Sequence, residues 1–290
     1  MSLLPADRIA HPVGDVLMDY VLTPYAPRAD PAGRLHSASL LRYFLRSHDL
    51  TAAWPIIVRL RTHLGAGQTV WGIKQDAAGR VGIELYFYNH CGNAPGSPMS
   101  VTTLCGVLAD LIDIPDTLDE SLPYLMCSLE LDAARLAAGR SEGFRIYLPG
   151  TRSIDGHDGI SYVATAQALV RENRYSFFSA ATELAEVQRS MAGSLHGQQD
   201  RAVLLHPRFT RCHTICYAEK QHTDALYFSR ISTPLLGVFA RAYLPGALAE
   251  VITQHAADFA HLCWDVGYDF QRRPASGSAR ITKAGIYGYA

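Results

Sequence analysis

The sequence predicts an α/β fold, a ten-stranded antiparallel β-barrel with helices outside and a ligand chamber in the lumen. Three features of the chain lead there. From residue 69 onward, helix-like segments alternate with pairs of short runs rich in β-branched and aromatic residues. A polar or glycine-containing turn joins the two runs of each pair, which makes them antiparallel neighbours. In several runs the apolar residues share one strand face, while tyrosines and charged residues share the other.

In chain order, helical patterns cover 36–47 and 51–64 and are followed by TVWGIKQ and VGIELYFYNH around the turn Asp76-Ala77-Ala78-Gly79. A helix over 99–112 precedes PYLMCSLEL with GFRIYLP, and ISYVATAQAL pairs with RYSFFS. A helix over 179–194 leads to CHTICYAEK and DALYFSRI, which turn at Gln221-His222-Thr223. A helical stretch over 233–261 breaks at Pro245-Gly246, because proline lacks the required N–H. HLCWDVGYDF and ARITKAGIYGY, around Pro274-Ala275-Ser276-Gly277, complete about five helix-strand-strand repeats. One domain over 1–290 is expected, with 1–35 as an N-terminal extension and 36–290 as the repeats. Closing the strands on themselves would bury every edge.

Strand parity assigns the faces. Ile83, Leu85 and Phe87 oppose Glu84, Tyr86, Tyr88 and His90. Phe144, Ile146 and Leu148 oppose Arg145 and Tyr147, and Leu226 and Phe228 oppose Tyr227 and Ser229. Amphipathic helices can cover only the apolar face, so the tyrosine-rich face points inward. Ten strands enclose more space than side chains fill, hence a chamber. A two-layer sandwich with one wet face is the competing arrangement.

Hydrophobic residues make up 48% and charged ones 18%, which excludes disorder and fibrous classes. A net charge of -1 offers no general attraction for nucleic acid or anionic membrane, so neither is an expected partner. Asp7, Arg8 and Pro12 interrupt any signal-peptide core, and six scattered cysteines read as reduced thiols, so a cytoplasmic protein is expected. Cys212 and Cys216 would share a strand face with His213 pointing away, and no second cysteine pair completes a zinc set. No metal site is assigned. His196, His206, His255 and His261 read as loop or helix-surface residues, while Asp265 and Asp269 share parity and face either the lumen or a polar rim. There is no nucleophile elbow and no phosphate-cradling glycine loop.

Four local segments resemble the ABBA-type aromatic prenyltransferases, over roughly residues 36–290. Gly82-Ile83-Glu84-Leu85 is similar to a second-strand segment whose glutamate anchors or deprotonates an indole-type acceptor. Phe144-Arg145-Ile146-Tyr147-Leu148-Pro149 resembles a fourth-strand pattern, Asp224-Ala225-Leu226-Tyr227-Phe228-Ser229 the eighth strand, and Lys283-Ala284-Gly285-Ile286-Tyr287 the last. Tyr86 stands where magnesium-dependent members hold an aspartate, so no cofactor is expected to be required and magnesium is not expected to be essential. In the sixth strand the aromatic run puts Asn173, Tyr175 and Phe177 inward, whereas polarity favours Arg174 and Ser176.

The resemblance implies transfer of a short isoprenoid, dimethylallyl or geranyl in size, from its diphosphate to a small aromatic acceptor, by ionisation and electrophilic substitution. Such a site must neutralise a leaving polyanion and shelter a carbocation in one chamber. Arg145, Lys283 and Lys74 are the diphosphate candidates, with Arg171 and Arg174 as further ones. Tyr147, Tyr227, Tyr287, Tyr86 and Tyr175 are candidates for the aromatic shield. Glu84 is the candidate catalytic carboxylate, polarising the acceptor N–H or O–H. Two other readings stay open, an aromatic-metabolite-binding barrel without ionisation chemistry and a transferase acting on a modified peptide.

Overall fold

The computed structural model describes residues 2–12, 14–65, 67–88, 98–114, 121–150, 158–165, 167–198 and 200–290. Among these residues there are ten strands: β1 (Thr69–Asp76), β2 (Val81–Tyr88), β3 (Met126–Leu131), β4 (Arg145–Pro149), β5 (Asp158–Ala164), β6 (Leu169–Ser179), β7 (Thr214–Glu219), β8 (Asp224–Ser232), β9 (Cys263–Arg272) and β10 (Ala279–Tyr289). The helices are α1 (Ala38–Ser47), α2 (Ala53–Leu64), α3 (Val101–Leu108), α4 (Ala133–Ala138), α5 (Leu184–Ala192), α6 (Arg201–Leu204), α7 (Thr233–Tyr243) and α8 (Gly246–Gln254). No helix among the described residues is long and apolar enough to cross a membrane. Cys212, Cys216 and Cys263 are free thiols, and Cys91 and His90 lie outside the described residues.

Each strand pairs antiparallel with its sequence neighbours, and β1 pairs with β10, so the sheet is a closed barrel. The expected turns are where the hairpins reverse. At the first, the Asp76 carboxylate accepts the N–H groups of Ala78 and Arg80, and Gly79 takes a positive φ of 82°. The break between α7 and α8 falls at Pro245, which caps α8. The observed helices are shorter than the apolar patterns, since residues near their ends lie in turns.

Ile83, Leu85 and Phe87 are completely buried in a core outside the barrel wall. Leu40, Leu41 and Phe44 of α1, Ile57 and Leu60 of α2, and Leu236 and Phe239 of α7 supply its other half. Burying each such side chain contributes about 1.5–3 kcal/mol, so this layer clamps the helices to the wall. The opposite strand faces form a separate inner cluster of Val70, Tyr86, Tyr88, Met126, Tyr147 and Tyr287, joined by Tyr20, Leu22, Tyr175 and Tyr227.

Two glycines keep that interior open. Tyr287 faces Gly72 across the β1/β10 pair, and Tyr227 faces Gly267 across the β8/β9 pair. A Cβ on Gly72 would meet the Tyr287 ring at 2.6 Å, and one on Gly267 would meet the Tyr227 ring at 2.3 Å. The rings therefore lie against bare backbone instead of projecting across the lumen.

Residues 17–25 form a small hairpin, with Met18 bridging Pro24, whose tip enters the barrel. Leu22 in this tip has a positive φ of 53°. Tyr20 N–H donates to Asp265 Oδ2 at 2.8 Å, and Arg230 Nε donates to Asp19 Oδ2 at 2.8 Å. Asp265 Oδ1 accepts the N–H of Arg230, itself at a positive φ of 60°, beside a register shift in β8.

We expect Gly267→Ala to swing Tyr227 into the lumen and to cost about 1–3 kcal/mol of stability by overpacking. Gly246→Ala, with no atom within 4 Å of its added Cβ, serves as the control and should be near neutral. Denaturation curves of the two variants check this, and equal stability would count against the glycine role.

Burial, and then Asp19, push the Asp265 carboxyl up to about 7 from an ordinary 3.8. The folded chain thus holds this proton more tightly than the unfolded one. The stability so contributed is complete below about pH 4 and is lost as pH rises through about 7. Across about pH 5 to 8, the melting temperature of the parent should fall relative to that of Asp265→Asn, which cannot titrate. Parallel profiles would show that Asp265 is not the group.

Candidate active site

The lumen is a cavity of about 760 Å³. Its wall holds nine of the sequence-predicted residues, Lys74, Glu84, Tyr86, Arg145, Tyr147, Tyr175, Tyr227, Lys283 and Tyr287. Period-two alternation carries them all to one face, so residues 74 to 287 of the chain converge without a long loop.

Glu84 sits at the centre of the polar wall, only 2% exposed. Tyr86 OH donates to its Oε2 at 2.8 Å, Lys74 Nζ pairs with the same oxygen, and Ser128 Oγ donates to Oε1. Arg145 stands 4.0 Å from Oε1. Burial alone would raise this carboxyl, but Lys74 and Arg145 overcome it and hold Glu84 well below the usual carboxylate range. It is therefore an ionised anchor for donors.

The register sets Glu130 of β3 directly opposite Glu84, a like-charge pair that would repel without the cations between. Arg145 donates to Glu130 at 2.8 Å and to Glu172 at 2.8 Å. Burial opposes its charge, yet Glu84, Glu130 and Glu172 raise its pKa still further. Lys220 donates to Asp269 at 2.8 Å and to Tyr227 OH at 3.3 Å, and Lys283 stands 3.7 Å from the same aspartate. Burial and then the charge of Lys74 lower the Lys283 pKa, with Lys220 adding to the effect. Of these cations Lys283 is the least compensated, and an anion placed beside it would relieve lysine–lysine repulsion.

The aromatic wall is a cage of phenols. Tyr20 lies edge-on to Tyr86 and Tyr287 with centroids 5.1 Å away in each case, Tyr227 and Tyr287 are 6.0 Å apart, and Tyr147 and Tyr175 are 5.6 Å apart. Burial raises the pKa of all of these tyrosines, so they stay neutral and present π faces instead of phenolates.

Two expected diphosphate residues are not in the chamber. Arg171 is exposed, and Arg174 is held away by Asp158 at 3.2 Å and Glu219 at 3.4 Å. Arg174 alternates with the inward Asn173 and Tyr175, whereas Arg171 is turned outward by a register shift, in which Ser161 pairs with Asn173 but Tyr162 pairs with Arg171, so Glu172 is an extra residue. Asn173, Tyr175 and Phe177 then face inward together with Glu172. Near β7 the parity expected for Cys212 also fails, because Cys212 precedes the strand and packs in the outer core while His213 and Cys216 line the lumen.

The sequence reading missed Lys220, Glu130, Glu172 and Tyr20, and left Asp269 open between lumen and rim. Lys220 lies just past the end of β7, and Tyr20 belongs to the extension, so neither had strand parity to place it. Glu130 did carry the signal, since it shares parity with Ser128, whose side chain bonds Glu84.

Tyr86 acts as a donor to Glu84, and among the described residues the group of three potential ligands that come within 4.8 Å of one another lies elsewhere, at His11, Asp15 and His36. Tyr86 thus places a phenol, and not a second carboxylate, beside Glu84.

No family model matches the chain, and no curated protein matches it. Among solved structures it is similar to the crystal structure of NotF prenyltransferase, with a TM-score of 0.52 and 10% identity over 86% of this chain and 92% of that one. At that identity the likeness is one of fold: this chain has the prenyltransferase-barrel architecture.

Proposed function

We propose that this barrel transfers a dimethylallyl or geranyl group from its diphosphate to an aromatic acceptor of the indole type. The observation that carries the reading is one lumen holding three lysines and Arg145 beside a cage of neutral tyrosines, with an ionised Glu84 between them. NotF, which shares the fold, is a prenyltransferase by name.

In this reading Lys74, Lys220, Lys283 and Arg145 neutralise the diphosphate as the allylic C–O bond breaks and its electron pair leaves with pyrophosphate. Tyr147, Tyr227 and Tyr287 face the cation and exclude water. An aromatic carbon or nitrogen of the acceptor then forms the new bond and gives up its proton, with Glu84 as the base that takes it. Lys74 is shared between the two halves of the reaction. Once it turns to the diphosphate, Glu84 Oε2 keeps Tyr86 and gains room for an acceptor N–H, and the carboxylate becomes more basic as its strongest partner leaves.

One observation favours the binding-barrel alternative. Seven carboxylates line the chamber against five lysines and arginines, so a polyanion enters a site already supplied with negative charge.

Two variants separate these readings. Lys283→Met removes one charge-assisted bond, worth about 1.5–3 kcal/mol, and should weaken donor binding roughly ten- to a hundredfold. Glu84→Gln should leave donor affinity unchanged or tighter, since it releases Lys74, while depressing transfer and raising the share of prenyl alcohol. Calorimetry with a non-ionising allylic diphosphate analogue measures binding, and product assays on an indole, a phenol and an indole-containing peptide measure transfer. A wild-type protein with no affinity for the analogue would leave the aromatic-binding barrel as the better account.

We further expect turnover to persist in EDTA, because Tyr86 occupies the position of the metal-binding aspartate. Loss of activity on chelation, restored by magnesium, would overturn this.

A further inference from the structure

A second cluster of chemically capable side chains lies at the base of the N-terminal hairpin. His11 N–H donates to Arg34 O at 2.9 Å and His36 N–H donates to Ile9 O at 2.8 Å, with Ala10 bridged to Leu35. This pairing closes the loop whose tip is Tyr20 and sets the rings of His11 and His36 in a stack with centroids 5.9 Å apart. Asp15 N–H donates to Pro12 O at 3.3 Å, and Asp15 Oδ2 lies 4.0 Å from His36 Nε2. One ligand atom from each of His11, Asp15 and His36 falls within 4.8 Å of the other two. His261 lies edge-on to His11, with ring centroids 4.8 Å apart.

These histidines are buried, against the expectation that His261 is a surface residue. His11 is 7% exposed, His36 1% and His261 0%. His11 Nδ1 and both ring nitrogens of His261 have no hydrogen-bond partner. A neutral imidazole carries one N–H and one lone pair, and burying either unmet costs free energy that a bound ion would recover. The neutral ring is the form that ligates metals.

We propose that His11, Asp15 and His36 bind one divalent transition ion of the zinc type, with His261 beside His11 as a further donor. Two imidazoles and a carboxylate suit Zn²⁺, Co²⁺ or Ni²⁺, whereas Mg²⁺ and Ca²⁺ require oxygen ligands. His36 Nδ1 accepts the Ala38 N–H at 3.1 Å, so without an ion its proton sits on Nε2. Coordination through Nε2 moves that proton to Nδ1 and releases the Ala38 N–H. Ala38 is the first residue of α1, where the helix itself offers that N–H no acceptor. The ion staples the base of the loop. Its tip stays anchored through Asp19, Arg230 and Asp265, so ion removal is read in melting temperature and leaves transfer in EDTA intact.

The test titrates Zn²⁺ alone into chelator-stripped full-length protein by calorimetry, with the visible spectrum of Co²⁺ as a second readout. Wild type should take up one equivalent and melt at a higher temperature. Asp15→Asn, a conservative change at a partly exposed site, should weaken binding at least about tenfold. The double variant His11→Gln/His36→Gln should abolish it, with circular dichroism confirming that the barrel is folded. If the double variant does not fold, Asp15→Asn decides. No uptake by wild type, or uptake that none of these substitutions changes, overturns the proposal.

Discussion

Strand β1 pairs with β10 from Val70↔Tyr289 to Asp76↔Lys283, and this seam turns a row of hairpins into an enclosure. With the seam closed, every strand has one face toward helices and one toward the lumen, and no backbone edge is left to recruit another chain. The inner faces of ten strands cannot be filled by one side chain each. That surplus of space, held open where Tyr227 and Tyr287 lie on glycine, makes the interior a chamber instead of a core.

Charge inside that chamber is organised by competition. Glu84 and Glu130 face each other because the strand register demands it, and Lys74 and Arg145 make the arrangement tolerable. Each cation offered to a diphosphate is thus already engaged by a carboxylate, and a polyanion binds by exchange of partners. Exchange lets a buried site stay satisfied both empty and full, which an array of unpaired lysines could not do. Lys283, farthest from full compensation, is the natural point of entry.

Much of this was legible in the sequence because strand parity is a strict period of two. Ile83, Leu85 and Phe87 against Glu84, Tyr86 and Tyr88 sorted correctly, and Pro245 marked the helix break. Parity carries no information across a bulge, which is why the extra residue Glu172 sent Arg171 to the wrong side, while Arg174 faces outward because the aromatic run, not the polar one, took the inner face. It is also silent beyond strand ends and in the extension, which hid Lys220 and Tyr20. The burial of His261 was invisible for a different reason. Its cover comes from a segment about 250 residues earlier in the chain, and no local pattern reports such packing.

The anchoring of Tyr20 also bears on how the chain acquires its shape. Its N–H bonds Asp265, 245 residues away, and β1 likewise waits for β10, so both ends of the lumen wall depend on contacts of very high sequence separation. Chains dominated by such contacts fold slowly, because loop closure comes before the contacts that stabilise it. During synthesis the N-terminal hairpin emerges long before the strands that receive it. Nascent β1 would meanwhile present an open edge beside apolar helices, the exposure that chaperones shield.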